Sequence, residues 1–449
     1  MKSAEWPVNT PSVDQFRRLE GVWRSRGYGK ILHITKDRYT LYEETAVSCL
    51  AVHAGPLSEL TQHHEDLEVS PAGQAFSARR ATGVSRVGYY RLKQLPPSLA
   101  RTEAHDPEDP EYNFEVFWHT FAEQYALFTL KNVDWDKSYR RHRRQIHPDS
   151  DPDDLFAALT AMLRPLRDGH VRLHSDWGSY SAAGQSQLYE RLDQELEDAD
   201  DPREVNSYLS ELREWLHDVI HEDYLGNNVR HGGRRLVEWG QLNASTGYLN
   251  IRAMAGQSGD VGHPGKDLAI TDAMMQKALA DIGHLPNLAV DVRGNGGGYD
   301  GVALRFASYL LDRKTLAFTK AARKGGGFTG RQPVHVEPAE GGYQGRLFVL
   351  TSELTASAAE IFVLSLLQRP ALTLIGEPTQ GILSDTLERH LPNGWHMTLS
   401  NEIYRAFDQQ LYEDVGIPPH IHQPFLSHES REAGYDNALD QVLKLTEND

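Results

Sequence analysis

The chain has 449 residues, 46 Lys plus Arg against 63 Asp plus Glu, a formal net charge of −17 and a single cysteine. A chain of this length can bury more than one core. Its negative surface repels phosphate backbones and anionic lipid, which excludes nucleic acid and membrane as expected partners. Cys49 alone cannot form an internal disulfide, and it argues against a thiol-ligated metal site.

The opening MKSAEWPVNTPSVDQF has no apolar core of a signal peptide, and no apolar run is long enough to span a bilayer. A soluble, cytoplasmic protein is the expectation. Residues 12 to 95 alternate aromatic and branched residues with polar ones (VWRSRGYGKILHI, RYTLYEE, VGYYRLKQL), which predicts strands and a β-rich domain over 1–108, with a small barrel as one form open to it. The proline- and acid-rich Pro96 to Asn113 reads as an exposed linker. A helical region follows over 109–236. FEVFWHTFAEQYALF and DLFAALTAMLRPL space apolar residues by threes and fours, so their stripes read as core faces. The cluster Arg140-Arg141-His142-Arg143-Arg144 reads as a solvated helix face. Gln187 to Ile220 reads as two charged amphipathic helices broken at Asp201-Pro202. From 237 to 449 short apolar strands alternate with helices, predicting a layered α/β domain with its sites at the carboxyl ends of strands.

Two segments of that last region bear chemistry. LAVDVRGNGGG (Leu288 to Gly298) is a buried strand running into a glycine turn, whose N–H groups can hold an oxyanion. The same glycines formally fit G-x-G-x-x-G, but the next strand-like run lacks the acid that would hold a ribose. LTSELTASAAE (Leu350 to Glu360) sets Ser352, Thr355 and Ser357 between a strand and a helix, where a hydroxyl serves as a helix cap or as a nucleophile. No G-x-S-x-G elbow occurs, which disfavours an ordinary α/β-hydrolase. A hydroxyl nucleophile needs a base. His170, in the turn Asp168-Gly169-His170, is the candidate, and Glu413 in LYEDVGIPPH is an acid available to orient it.

Residues 247 to 424, with Asp168-Gly169-His170, resemble the serine peptidase family of C-terminal-processing proteases, tricorn protease and interphotoreceptor retinoid-binding protein. The resemblance rests on D-x-R-x-N-x-G-G at Asp291 to Gly298 and on Ser357 three positions before Glu360. It also rests on G-E-x-T-x-G at Gly376 to Gly381 and on Glu413 before Gly416-Ile417-Pro418-Pro419. It implies a crotonase/ClpP-like layered catalytic domain, with Ser357 as nucleophile and the N–H groups of Gly297 and Ala358 as oxyanion donors. One branch of the family places its catalytic lysine where this chain has Ile382. The tricorn-like branch is therefore implied, with His170 as base and Glu413 as orienting acid. Gly169 replaces the serine that precedes the histidine in tricorn, His420 replaces a usual Asp, and no PDZ-like module is visible. No metal or organic cofactor is implied. The expected substrate is a peptide. The alternatives are a small acyl substrate, as in a tailoring amidase, esterase or acyltransferase, and a non-catalytic ligand-binding homologue.

Overall fold

The computed structural model describes residues 10–80, 83–184, 186–260 and 264–447; the first nine residues, most of the opening segment that lacks a signal-peptide core, lie outside them. Among the described residues no helix is long and apolar enough to cross a membrane. The polypeptide divides into two compact units, each built from separated stretches.

The first unit comprises the chain up to Gly184 together with Lys320–Gln332 and Ser384–Tyr404. Its N-terminal part is an antiparallel seven-stranded sheet in the spatial order Cys49–Pro56, Arg38–Glu44, Lys30–Ile34, Gly21–Ser25, Arg86–Leu92, Ala75–Arg80, His64–Val69. Among the described residues the two edge strands do not pair with each other, so the sheet is open and the barrel expectation is corrected. Its alternating pattern buries Trp23, Phe76 and Tyr89 on one face, with the Phe76 and Tyr89 rings stacked at 4.7 Å. That face shares a core with the helices Pro110–Gln124 and Pro152–Leu163 through Phe117, Phe121, Leu159 and Leu163.

Pro96 to Asn113 is not a linker. It holds a helix over Pro97–Ala104 and the start of the next, because Pro97 and Pro110 each occupy a first helical turn, where proline lacks only an N–H that would be unpaired anyway. Asp109 caps the second helix by accepting from the N–H of Glu111 at 2.9 Å. In the basic cluster, Arg143 pairs with Glu111 and Glu115 while Arg140, Arg141 and Arg144 face solvent. Cys49 is fully buried, and desolvation pushes its thiol up to about 12, which makes it inert.

The second unit comprises Gln185–Thr319, Pro333–Leu383 and Arg405–Asp449. Its mixed seven-stranded sheet runs Arg230–Gly232, Val237–Gln241, Thr246–Ile251, Asn287–Asp291, Arg346–Thr351, Leu372–Gly376, Ile421–His422. The first three strands are antiparallel; from Thr246 onward each neighbour is parallel. Asn287–Asp291 is buried at every position, as a parallel strand covered on both faces must be. The two charged helices form as expected, Gln187–Asp198 and Val205–Val219. With Asn437–Thr446 they bury Leu192, Leu216 and Leu439 against Phe348, Leu350 and Ile375 of the sheet. Helices Pro264–Ile282, Asp300–Ser308 and Ala358–Leu366 pack together as a second helical layer. His420 has a structural role: its Nδ1 accepts the Leu374 N–H at 2.9 Å and its own N–H donates to the Leu374 carbonyl, carrying pairing on toward Ile421–His422.

Candidate active site

The parallel strands Asn287–Asp291 and Arg346–Thr351 are neighbours in register, so the turns leaving their carboxyl ends emerge side by side. One is Val292 to Tyr299, the other Ser352 to Ser357. Two of the three hydroxyls in the second turn are consumed in joining it to the first. Ser352 Oγ donates to the Arg293 carbonyl at 2.6 Å, and Thr355 Oγ1 donates to the Val292 carbonyl at 2.9 Å. Ser357 differs. Its Oγ–H donates to no acceptor among the described residues, and it keeps part of its surface exposed.

Ser357 stands at the N-cap of helix Ala358–Leu366 with φ 55° and ψ −122°, a conformation that L-residues rarely adopt. Such strain persists only where the surroundings over-determine it. Here they do. The Ser357 N–H donates to Glu360 Oε2 at 3.0 Å, and the Ala356 N–H donates to the Asn295 carbonyl at 3.1 Å. The effect is that of a nucleophile elbow, a strand-to-helix turn that pushes its hydroxyl outward, built without the flanking glycines. The glycine is supplied by the neighbouring turn. Gly297 has φ 100°, and a Cβ there would come within 2.7 Å of Ala356 O and 2.9 Å of both Ala358 N and Ser357 Cβ. Gly298, at φ 144°, lies equally close to the Met254 backbone. Backbone therefore fills the space a dinucleotide phosphate would take, and Asp300 in the following helix's first turn would repel one.

Ala358 opens its helix, so its N–H has no intrahelical acceptor and is available to an oxyanion. The Gly297 N–H, the other expected donor, is occupied: it donates to Asn295 Oδ1 at 2.9 Å. An incoming oxyanion must share or displace that amide oxygen, and as a charged acceptor it is the stronger of the two.

In the sequence Glu360 marks only a spacing from Ser357; in the structure it has a task. It is fully buried and accepts four hydrogen bonds. Thr379 Oγ1 (2.6 Å) and the Gly381 N–H (2.7 Å) reach Oε1, while the Ile382 N–H (2.9 Å) and the Ser357 N–H (3.0 Å) reach Oε2. One carboxylate thus ties the Ser357 turn to the Gly376 to Ile382 turn. That second turn is in turn clamped to the segment bearing Glu413: Asp414 N–H donates to Gly381 O at 2.8 Å, and Ile417 N–H to Thr379 Oγ1 at 2.8 Å. Gly416, at φ 73°, lies against the Thr379 carbonyl, where any Cβ would collide. Glu413 itself is buried.

Residues 245–423 match peptidase family S41, and residues 106–164 match the tricorn protease C1 domain. The chain carries an S41 serine peptidase domain. Solved structures agree on the fold. A Parabacteroides merdae ATCC 43184 protein assigned as a peptidase is 24% identical, with a TM-score of 0.60 over 75% of this chain and 96% of that one. Mature CPAF is 14% identical, with a TM-score of 0.54 over 76% of this chain and 97% of that one. CPAF complexed with lactacystin gives 12% and 0.52 over 76% and 98%.

Ser357, Ala358, Gly297 and Glu413 lie in the S41 match and in the second unit, whereas His170 lies outside that match and in the first unit. There the Asp168-Gly169-His170 turn is held by Asp168, which accepts from Tyr125 Oη at 3.0 Å and from the His170 N–H at 2.9 Å. The His170 carbonyl accepts from Thr398 Oγ1 at 2.6 Å. Its Nδ1 is buried without a hydrogen-bond partner among the described residues. Desolvation lowers the ring's pKa, partly opposed by the charges of Asp168 and Asp385, so the imidazole is neutral at pH 7 and able to accept a proton.

Glu360→Gln tests the clamp. The amide places N–H hydrogens against N–H or O–H donors, which should cost about 1–3 kcal/mol in chemical denaturation and lower peptidase turnover. Burial also pushes the Glu360 carboxyl from 4.5 up to about 7, against the pull of its four donors. Its contribution to stability is then full below about 4.5 and is lost as pH rises through about 7. The glutamine variant should flatten that decline; an unchanged slope between those pH values would rule out Glu360 as its source.

Proposed function

We propose that Ser357 is the nucleophile of a peptidase that works through His170 as base and acid and Glu413 as orienting acid, in the manner of the tricorn-like branch. The observation that carries this reading is the strained Ser357 turn, whose hydroxyl proton has no acceptor among the described residues and which sits beside Gly297 and the open N–H of Ala358. Ser357 Oγ attacks the substrate carbonyl carbon and passes its proton to His170. The N–H groups of Ala358 and Gly297 hold the tetrahedral oxyanion; a lost donor costs about 3–4 kcal/mol of transition-state stabilisation. The intermediate collapses as His170 returns the proton to the leaving amine. Water, deprotonated by His170, then releases the acyl group from Ser357. Because the His170 pKa is lowered, kcat/KM should rise to a plateau through an acid limb centred below 6.5, the ordinary histidine value. A limb at or above that value would point to a different base.

A second reading, hydrolysis or transfer on a small acyl substrate, is favoured by a cavity of about 300 Å³ in the first unit, the size of a small-ligand site. Tyr28, Leu32, Tyr39, Val87 and Tyr89 line it, with Asp385 and Glu402 as its carboxylates, and the Asp385 charge also bears on His170.

A fluorophosphonate probe read by intact mass tests the nucleophile. One adduct is expected on the native chain and none on Ser357→Ala. An undiminished adduct on that variant removes Ser357 from the role. A panel of unstructured peptides, esters and small amides separates the two substrate readings.

A further inference from the structure

Away from Ser357, within the second unit, three histidines converge on one buried carboxylate. Glu238, on strand Val237–Gln241, is 1% exposed. His231 is its direct cross-strand partner in the antiparallel pair with Arg230–Gly232, so both side chains lie on one face of the sheet. His217 and His221 lie four residues apart, at the end of helix Val205–Val219 and in the π-helical turn Ile220–Tyr224 that extends it. This spacing brings their ring centroids to 3.8 Å, with the planes tilted at 38°. Nε2 of His221 lies 3.3 Å and Nε2 of His217 3.6 Å from Glu238 Oε2, and Nδ1 of His231 lies 3.2 Å from Glu238 Oε1.

Those separations suit a metal. Four ligands at about 2.0–2.1 Å around a tetrahedral ion stand about 3.3 Å from one another. His217, His221 and Glu238 each offer a ligand atom, all within 4.8 Å of one another. Two further observations point the same way. Glu238 Oε1 and His231 Nδ1 are buried, and neither has a hydrogen-bond partner among the described residues, although hydrogen bonding normally satisfies such atoms. His217 Nδ1 also lies 3.5 Å from Asp218 Oδ1, the arrangement in which an outer carboxylate orients a ligating imidazole. A cavity of about 70 Å³ opens beside the cluster.

From these residues we infer that His217, His221 and Glu238 form a binding site for a divalent transition metal of the Zn²⁺ class, with His231 beside the other carboxylate oxygen of Glu238. Imidazole donors select such ions over Mg²⁺ or Ca²⁺, which prefer all-oxygen shells. The role is structural: with two donors from the helix end and one from the sheet, the ion pins the helix Val205–Val219 to the edge of the sheet. Arg252 and Arg213 line the same cavity and oppose a cation. Arg252 is 3.9 Å from Glu238 Oε1 but 43% exposed, so it can turn to solvent, and Arg213 is engaged with the Gly294 carbonyl at 3.2 Å.

The test uses the full chain after chelator dialysis. Zn²⁺ titration calorimetry, with metal analysis after gel filtration, should give one ion per chain and a raised Tm, while Mg²⁺ gives neither. Co²⁺ should produce the visible absorption of a tetrahedral site. His221→Ala and Glu238→Gln should abolish stoichiometric binding, and Asp218→Asn should weaken it by about 10–100-fold. Should Glu238→Gln fail to fold by circular dichroism, the more exposed His217→Asn gives the same readout. Absence of stoichiometric Zn²⁺ binding by the native chain, or binding unaltered in folded His221→Ala, overturns the site. Ser357 labelling by the fluorophosphonate is scored separately, so failure of the metal site and failure of the peptidase reading are distinguishable.

Discussion

Ser357→Ala should lower kcat by about four to six orders of magnitude, the loss seen when a serine hydrolase forfeits its nucleophile, with KM little changed. The fold should survive, because alanine keeps the Cβ and the backbone strain at φ 55° stays as it was. Ser357→Gly should be equally inactive yet more stable than the native chain by about 1–3 kcal/mol, since glycine adopts this conformation without steric cost. Activity of both variants against a fluorogenic peptide, with urea denaturation alongside, provides the comparison. If the glycine variant is no more stable than the alanine variant, the turn is not strained and the elbow argument loses its basis. If Ser357→Ala retains activity within about tenfold of the native chain, the nucleophile lies elsewhere.

Arg293→Met should destabilise the second unit by about 3–5 kcal/mol, the cost of breaking a buried ion pair from one side. The guanidinium is 3% exposed and bridges two carboxylates, 2.6 Å from Asp291 Oδ2 and 2.6 Å from Asp436 Oδ2. Tyr248 Oη adds a hydrogen bond to Asp291 at 3.0 Å, and the Asp436 carboxylate also caps helix Asn437–Thr446. Methionine fills much of the volume but leaves both carboxylates unpaired. Arg293→Lys should recover little, because an ammonium cannot fork between two carboxylates as a guanidinium does. Since the Arg293 and Val292 carbonyls receive Ser352 and Thr355, the loss should also be felt as reduced turnover at Ser357. Guanidinium melts and peptidase assays measure both. A stability change under about 1 kcal/mol would show that the bridge contributes little.

The motif D-x-R-x-N-x-G-G therefore divides by task. Asp291 and Arg293 spend their charge inside the fold, Asn295 holds the turn through Ile251 O and the Gly297 N–H, and the glycines give way to the serine turn. Cys49 and the Arg140 to Arg144 cluster carry none of this chemistry. Glu360 gained its meaning only in three dimensions: two of its four partners are loop N–H groups 21 and 22 residues away, contacts that no helical or strand period encodes.

Local pattern alone was enough for the layered α/β core, the paired charged helices and the two turns that bear Gly297 and Ser357. Hydrophobic period is a local quantity: a parallel strand covered on both faces must be apolar throughout, and an amphipathic helix must repeat its leucines. Family motifs added Ser357 over its two neighbouring hydroxyls. Folding in three dimensions settles why those two are unavailable, that Pro97 and Pro110 begin helices, and that His396–Ser400, paired on its other side with Thr386–His390, lies beside Arg172–His174, next to His170. It also gathered His217, His221, His231 and Glu238 around one point. These are pairings between residues far apart in the chain, set by strand register, turn geometry and the need to satisfy buried polar groups, and such pairings leave no period in the sequence.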